Sequence, residues 1–171
     1  LYAGARGHLE ILRLTLDHGA DLKSLNRFGG TALIPAAERG HVDTVATLIA
    51  AGVDVNHVNK LGWTALMEAV VLADGGPRHQ QIVQLLLKNG ANPNIPDFDG
   101  VTPLQHARRM GFDAMSALIA EGGGRRTPAG RGRQGDGDGD GQRQRAALGA
   151  LIGTAAGRSG FGPPGLDRSA R

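Results

Sequence analysis

Gly62-Trp63-Thr64-Ala65-Leu66 decides the fold because it recurs. It is preceded by Gly29-Gly30-Thr31-Ala32-Leu33 at a step of 33 residues and followed by Gly100-Val101-Thr102-Pro103-Leu104 at a step of 38. Two further segments keep the shorter step: Gly7-His8 returns as Gly40-His41, and Gly19-Ala20-Asp21 returns as Gly52-Val53-Asp54. Gly90-Ala91-Asn92 arrives five residues late, so an insertion separates it from its earlier copies, and Ala73-Asp74-Gly75-Gly76-Pro77-Arg78 is the segment that holds it. A fixed period of this length marks stacked supersecondary units.

Within each period the apolar residues follow helical spacing. Val42, Val45, Leu48 and Ile49 lie on one face, as do Leu9, Leu12 and Leu16, then Val83, Leu86 and Leu87, and finally Phe112, Met115, Leu118 and Ile119. These are the second helices. First helices are expected to start at Thr31, Thr64 and Thr102, whose hydroxyls can cap free N–H groups, with Pro103 at the first helical position. Ala36, Ala37, Ala69 and Ala107 keep that helix thin for close packing, and Gly19, Gly52, Gly90 and Gly122 follow the second helices as left-handed caps. A unit of two short helices and a turn cannot bury its apolar face alone. The units must therefore stack into an all-α solenoid.

The chain of 171 residues changes character near Gly122. Residues 1–121 hold ten Lys and Arg against twelve Asp and Glu, whereas residues 122–171 hold nine Arg, no Lys and four Asp. Fifteen of the 28 glycines also fall in that last segment. The overall charge of +3 thus comes from the tail. Its scarcity of bulky apolar side chains predicts a disordered Gly/Arg-rich tail over 122–171. Its composition also resembles a shifted reading frame of a GC-rich gene. Cysteine is absent, which excludes disulfides and thiolate chemistry. No apolar run approaches the roughly 20 residues that a membrane span needs.

Gly-x-Thr-Pro-Leu, Ala-Ala-x-x-Gly-His, the Val/Leu-rich second helix and Gly-Ala-Asp-x-Asn together resemble the ankyrin repeat, with the detailed likeness to bacterial ankyrin-repeat proteins. The resemblance covers residues 1–121 as a partial unit at 1–25 and units at 26–58, 59–96 and 97–121. It implies an ankyrin-repeat solenoid of paired antiparallel helices with hairpin loops. The first unit lacks its hairpin and its threonine, so the natural protein is expected to continue upstream of Leu1. Ile34, Met67 and Gln105 stand where the family's Thr-Pro-Leu-His has histidine, and Pro35 is expected to remove the first hydrogen bond of its helix.

Catalytic signals are weak throughout. None of the six histidines is paired as His-x-x-x-His, and no two acidic residues are placed as an acid/base pair. Neither catalytic residues, metal ligands nor a cofactor are expected. In the tail, Asp136-x-Asp138-x-Asp140-Gly141 begins like a calcium loop but has Ala147 where the bidentate Glu belongs. Gly130-x-Gly132-x-x-Gly135 matches a dinucleotide fingerprint only as a string. Gly149-x-x-x-Gly153-x-x-x-Gly157 has membrane-helix spacing in too short a run. The Arg/Gly stretch at 125–133 could give weak non-specific nucleic-acid binding.

The resemblance implies a non-catalytic protein-binding module, expected to be monomeric, that meets another protein through hairpin tips and the concave face of the first helices. The alternative is a docking arm of a larger enzyme or membrane-associated protein whose catalytic or targeting part lies upstream of Leu1. The compartment is not encoded. Candidate contacts at the tips are Arg27, Phe28, Lys60, Leu61, Trp63, Asp97, Phe98 and Val101, continued along the first helices by Glu68 and His106. Aromatic residues beside charges are what binding hot spots favour. Trp63 and Phe98 either meet a partner or cover the adjoining tip. The insertion at 73–78 is expected to lengthen the interhelix loop as a second recognition element.

Overall fold

Helix pairs recur down the chain in the computed structural model, which describes residues 1–124. The elements are α1 (Tyr2–Arg6), α2 (Leu9–Asp17), α3 (Leu33–Glu38), α4 (Val42–Ala50), α5 (Ala65–Val71), α6 (Pro77–Lys88), α7 (Pro103–Arg109) and α8 (Asp113–Glu121). No strand occurs among the described residues. First helices α1, α3, α5 and α7 form one layer and second helices α2, α4, α6 and α8 the other, each packed on its neighbours and on its own partner. Ala36, Ala37, Ala69 and Ala107 are wholly buried, so the first layer approaches closely because it carries methyl groups where a larger side chain would hold the helices apart. Val45, Leu48, Ile82, Val83, Leu86, Met115 and Ile119 fill the space between the layers. The tail motifs at 130–157 lie outside the described residues.

The threonine caps divide. Thr64 Oγ1 accepts from Met67 N–H at 3.2 Å, and Thr102 forms a reciprocal box with Gln105. Thr31 departs from the expectation: α3 begins only after Ala32, and the Thr31 hydroxyl is buried without a hydrogen-bond partner. The cause lies at Pro35. Glu68 N–H donates to Thr64 C=O and His106 N–H to Thr102 C=O, both at 3.0 Å, whereas proline has no N–H to offer Thr31. The first turn of α3 therefore forms without the bond that anchors the other two.

Another expectation shifts by one residue. Gly19, Gly52 and Gly90 take positive φ after their helices, but the fourth cap is Gly123 at φ 92, while Gly122 has φ −73. The step of 33 from Gly90 lands on Gly123. The insertion also does more than lengthen a loop. The interhelix stretch grows to Leu72–Gly76, and α6 runs for 12 residues where α4 has nine. Pro77 at its first position starts that extra turn. The inserted loop is held in place: Asp74 Oδ1 accepts from Gly76 N–H, and Gln80 Nε2 donates to Gly75 C=O, both at 2.8 Å.

Asparagines lace the second-helix ends together. Asn56 Nδ2 donates to Gly90 C=O, Asn92 N–H returns a bond to Asn56 Oδ1, and Asn94 Nδ2 donates to Gly123 C=O. Lys23 holds the corresponding place in the first unit and has no amide with which to repeat this. On α2 only Leu12 is buried, and Ile11 and Leu14 are exposed.

Candidate partner-binding surface

Each hairpin tip is a five-residue turn built on its first side chain. Asn26 Oδ1 accepts from Phe28 and Gly30 N–H, Asn59 Oδ1 from Leu61 and Trp63 N–H, and Asp97 Oδ1 from Asp99 and Val101 N–H. Backbone bonds close the same turns, from Asn26 N–H to Gly30 C=O, Asn59 N–H to Trp63 C=O and Asp97 N–H to Val101 C=O. Asn and Asp suit this position because their short side chains reach backbone N–H groups two residues on. Asn59 and Asp97 also reach inward. Asn59 Nδ2 donates to Glu68 Oε1 at 2.8 Å, and Asp97 Oδ2 pairs with His106 Nε2 at 2.7 Å. The residue nine positions after Asn26 is Pro35, which offers no such partner.

Position within the turn decides what each expected contact does. Arg27, Lys60 and Phe98 share the second position, and all three are exposed. The Lys60 stem lies over Gly29 and the Phe98 ring over Gly62, where an added Cβ would stand 3.0 Å and 3.1 Å from them. Lys60 further ties the tips together, since its N–H donates to Phe28 C=O and its Nζ to Arg27 C=O. Phe28 and Leu61, at the third position, are half-buried, and the Arg27 guanidinium sits 4.6 Å from the Phe28 ring centre. Phe98 covers its neighbour with one face and is still 79% exposed. Of the fifth-position residues, Trp63 is only 5% exposed, whereas Val101 is half-buried.

Three of the expected contact residues thus face inward. Trp63 is almost wholly covered, whereas Val101 at the same turn position is not. Glu68 is 5% exposed and Asp97 8%, since each is consumed in joining a tip to its helix. His106 remains half-buried with Nε2 committed to Asp97. The inward pairs at a spacing of nine went unread in the sequence. Their signal was the Asn or Asp that opens every tip.

Burial raises the Glu68 carboxyl to about 8, the nearby Glu38 charge adds to the rise, and the Asn59 hydrogen bond partly opposes it. Glu38 is itself raised by burial, against the pull of Arg39. Glu68 is consequently protonated at neutral pH and acts as a neutral hydrogen-bonding group. Among the described residues, no three His, Asp or Glu side chains converge as a metal would require, and no helix is long and apolar enough to cross a membrane. His57 bonds to Gly29 C=O and His18 to Leu14 C=O, which are structural uses.

Stacked helix pairs with Asx-built tips define a repeat solenoid with an exposed edge. The family described as ankyrin repeats (3 copies) matches residues 1–97. Over 116 residues the chain is 47% identical to "Putative ankyrin repeat protein YahD" of Escherichia coli (strain K12), covering 67% of this chain and 58% of that protein. Among solved structures it is similar to an ankyrin repeat domain from Acinetobacter baumannii AYE, with a TM-score of 0.72 and 68% identity over 72% of this chain and 63% of the other. It is also similar to the ankyrin repeat protein EF0377, with a TM-score of 0.68 and 46% identity over 70% of this chain and 61% of that one. The chain belongs to the ankyrin-repeat family. It spans about three fifths of the length of these relatives. Proteins of this family are in general protein-interaction modules without catalytic activity.

Proposed function

We propose that this chain binds a protein partner, without catalysis, along the outer row of its hairpin tips. Phe98 is the centre of the contact, flanked by Lys60, Leu61, Arg27, Phe28 and Val101, with the exposed edge of His106 beside them. The observation that carries this reading is the 79% exposure of Phe98 on a turn pinned by two bonds to Asp97 Oδ1. A large apolar ring held rigidly in water loses little freedom on binding, which is how aromatic anchors contribute affinity.

Site-specific photocrosslinking tests it. A benzophenone side chain placed at position 98 or 61 of the full chain should yield a discrete adduct with a partner, and one placed at Lys88 at the end of α6 should not. Equal adducts from both faces, or none from the tips in a folded chain, would contradict the proposal.

A further inference from the structure

A second charged feature lies at the turns between first and second helices. Arg6-Gly7-His8 recurs as Arg39-Gly40-His41, and the third unit carries Arg78-His79. Gly7 lies under His41, which precedes α4, and Gly40 lies under His79 in the first turn of α6. A Cβ added to Gly7 would stand 2.7 Å from the His41 ring, and one added to Gly40 would stand 3.4 Å from His79 and 3.7 Å from the Arg78 Cβ. The three turns therefore touch in succession. Arg108 and Arg109 continue the basic character in the last turn of α7.

This row is short of compensating charge. The two ion pairs among the described residues are His79–Asp74 and His106–Asp97, so Arg6, Arg39 and Arg78 enter none. Arg39 Nη1 donates to Ala5 C=O at 3.1 Å, and the Arg6 guanidinium lies 5.4 Å from the Tyr2 ring centre. The acidic groups nearby are Glu38 behind Arg39, Asp74 on His79, and the exposed Glu10 and Asp43 at the starts of α2 and α4. They do not neutralise the centre of the row. Burial first, and then the neighbouring Arg39 and Arg78 charges, hold His41 below its ordinary value.

We infer that the interhelix turns of the first three units form a docking edge for an acidic, extended segment of a protein partner, with Arg6, Arg39 and Arg78 each meeting one carboxylate. The edge is separate from the hairpin tips. Packed helices lie about 8–10 Å apart, and a chain in the polyproline II conformation advances about 3.1 Å per residue with three residues per turn, so a carboxylate at every third residue returns to the same face and keeps pace with one arginine per unit. Charge complementarity favours this occupant. The folded region is net acidic, yet this edge carries one arginine per unit outside any ion pair.

The test uses the full chain, so that the arginine-rich tail is identical in every arm. The probe is a fluorescein-labelled peptide of about twelve residues with Glu at every third position, compared with its Gln counterpart by anisotropy at low salt, where surface charge is least screened. Affinity for the Glu peptide should exceed that for the Gln peptide, fall about tenfold in Arg39→Gln/Arg78→Gln, and hold in the tip variant Phe98→Ala. Peptide binding should also raise the pKa of the His41 ring followed by NMR. Arg78→Gln alone, which breaks no hydrogen bond of the fold, should give part of the loss. Unchanged affinity in both arginine variants would overturn the inference, as would loss of binding to an oligothymidylate of similar length with peptide binding intact. Loss in Phe98→Ala but not in the arginine variants would leave the tip reading standing and remove this one.

Discussion

The second and third units share a backbone plan but differ in their polar connections. In the third unit, Thr64 caps α5, the Glu68 amide anchors the first turn, and the Glu68 side chain ties that helix to Asn59 in the tip. Pro35 replaces Glu68 in the second unit, and three bonds disappear together: the amide anchor, the threonine cap and the link to the tip. Both units nonetheless place alanines and leucines at the same depth. Apolar packing thus suffices to build the helix pair, and the polar connections set how firmly its first turn and its tip are held.

The widest gap between the units lies at the fifth tip position, Gly30 in one and Trp63 in the other. Trp63→Ala should destabilise the chain by about 3–5 kcal/mol, the usual range for a buried aromatic, measured by urea unfolding. A loss below about 1 kcal/mol would mean that the ring is not part of the packed interior.

A pH series sharpens the comparison next. A carboxyl raised from 4.5 to about 8 on folding is bound to its proton in the native state between those values and free of it in the unfolded state. Its contribution to stability is therefore present below about pH 4.5 and declines up to about pH 8, by at most about 1.4 kcal/mol per pH unit. Glu68→Gln keeps an oxygen for Asn59 and removes this titration. It should raise stability by on the order of 2 kcal/mol at pH 8 and leave it little changed at pH 4. Equal slopes with pH in the two chains would show that Glu68 is not buried as described.

Pro35→Gln makes the second unit resemble the third. It restores the amide for Thr31 C=O and offers Asn26 a side-chain acceptor. A gain on the order of 1 kcal/mol is expected in thermal unfolding, reduced by the greater freedom of the unfolded chain once proline is gone. A loss of stability would mean that the proline ring packs better than the bonds it displaces.

Periodicity made most of the fold readable. Apolar spacing and the 33-residue step located every second helix, and the later step of 38 located the insertion. Sequence could not apportion that insertion between loop and helix, because Pro77 starts a helix as readily as it ends a loop. The candidate surface was legible only to the level of the tip. Phe28, Trp63 and Phe98 fall in successive tips but at its third, fifth and second positions, so similar aromatic residues face different ways. The Asx turn, in which the first side chain binds the N–H groups of the third and fifth residues, fixes which position each of them occupies. That geometry emerges only when Asn26, Asn59 and Asp97 are aligned as one position.

Two aromatic residues in neighbouring tips part company, Trp63 covered and Phe98 exposed and proposed as the contact. The most direct measurement is the affinity of Phe98→Ala for a partner trapped by crosslinking at position 98, taken together with its melting temperature. Affinity should fall by about 1–2 kcal/mol, with stability within about 0.5 kcal/mol of the parent chain. Unchanged affinity in a variant that melts like the parent would contradict it.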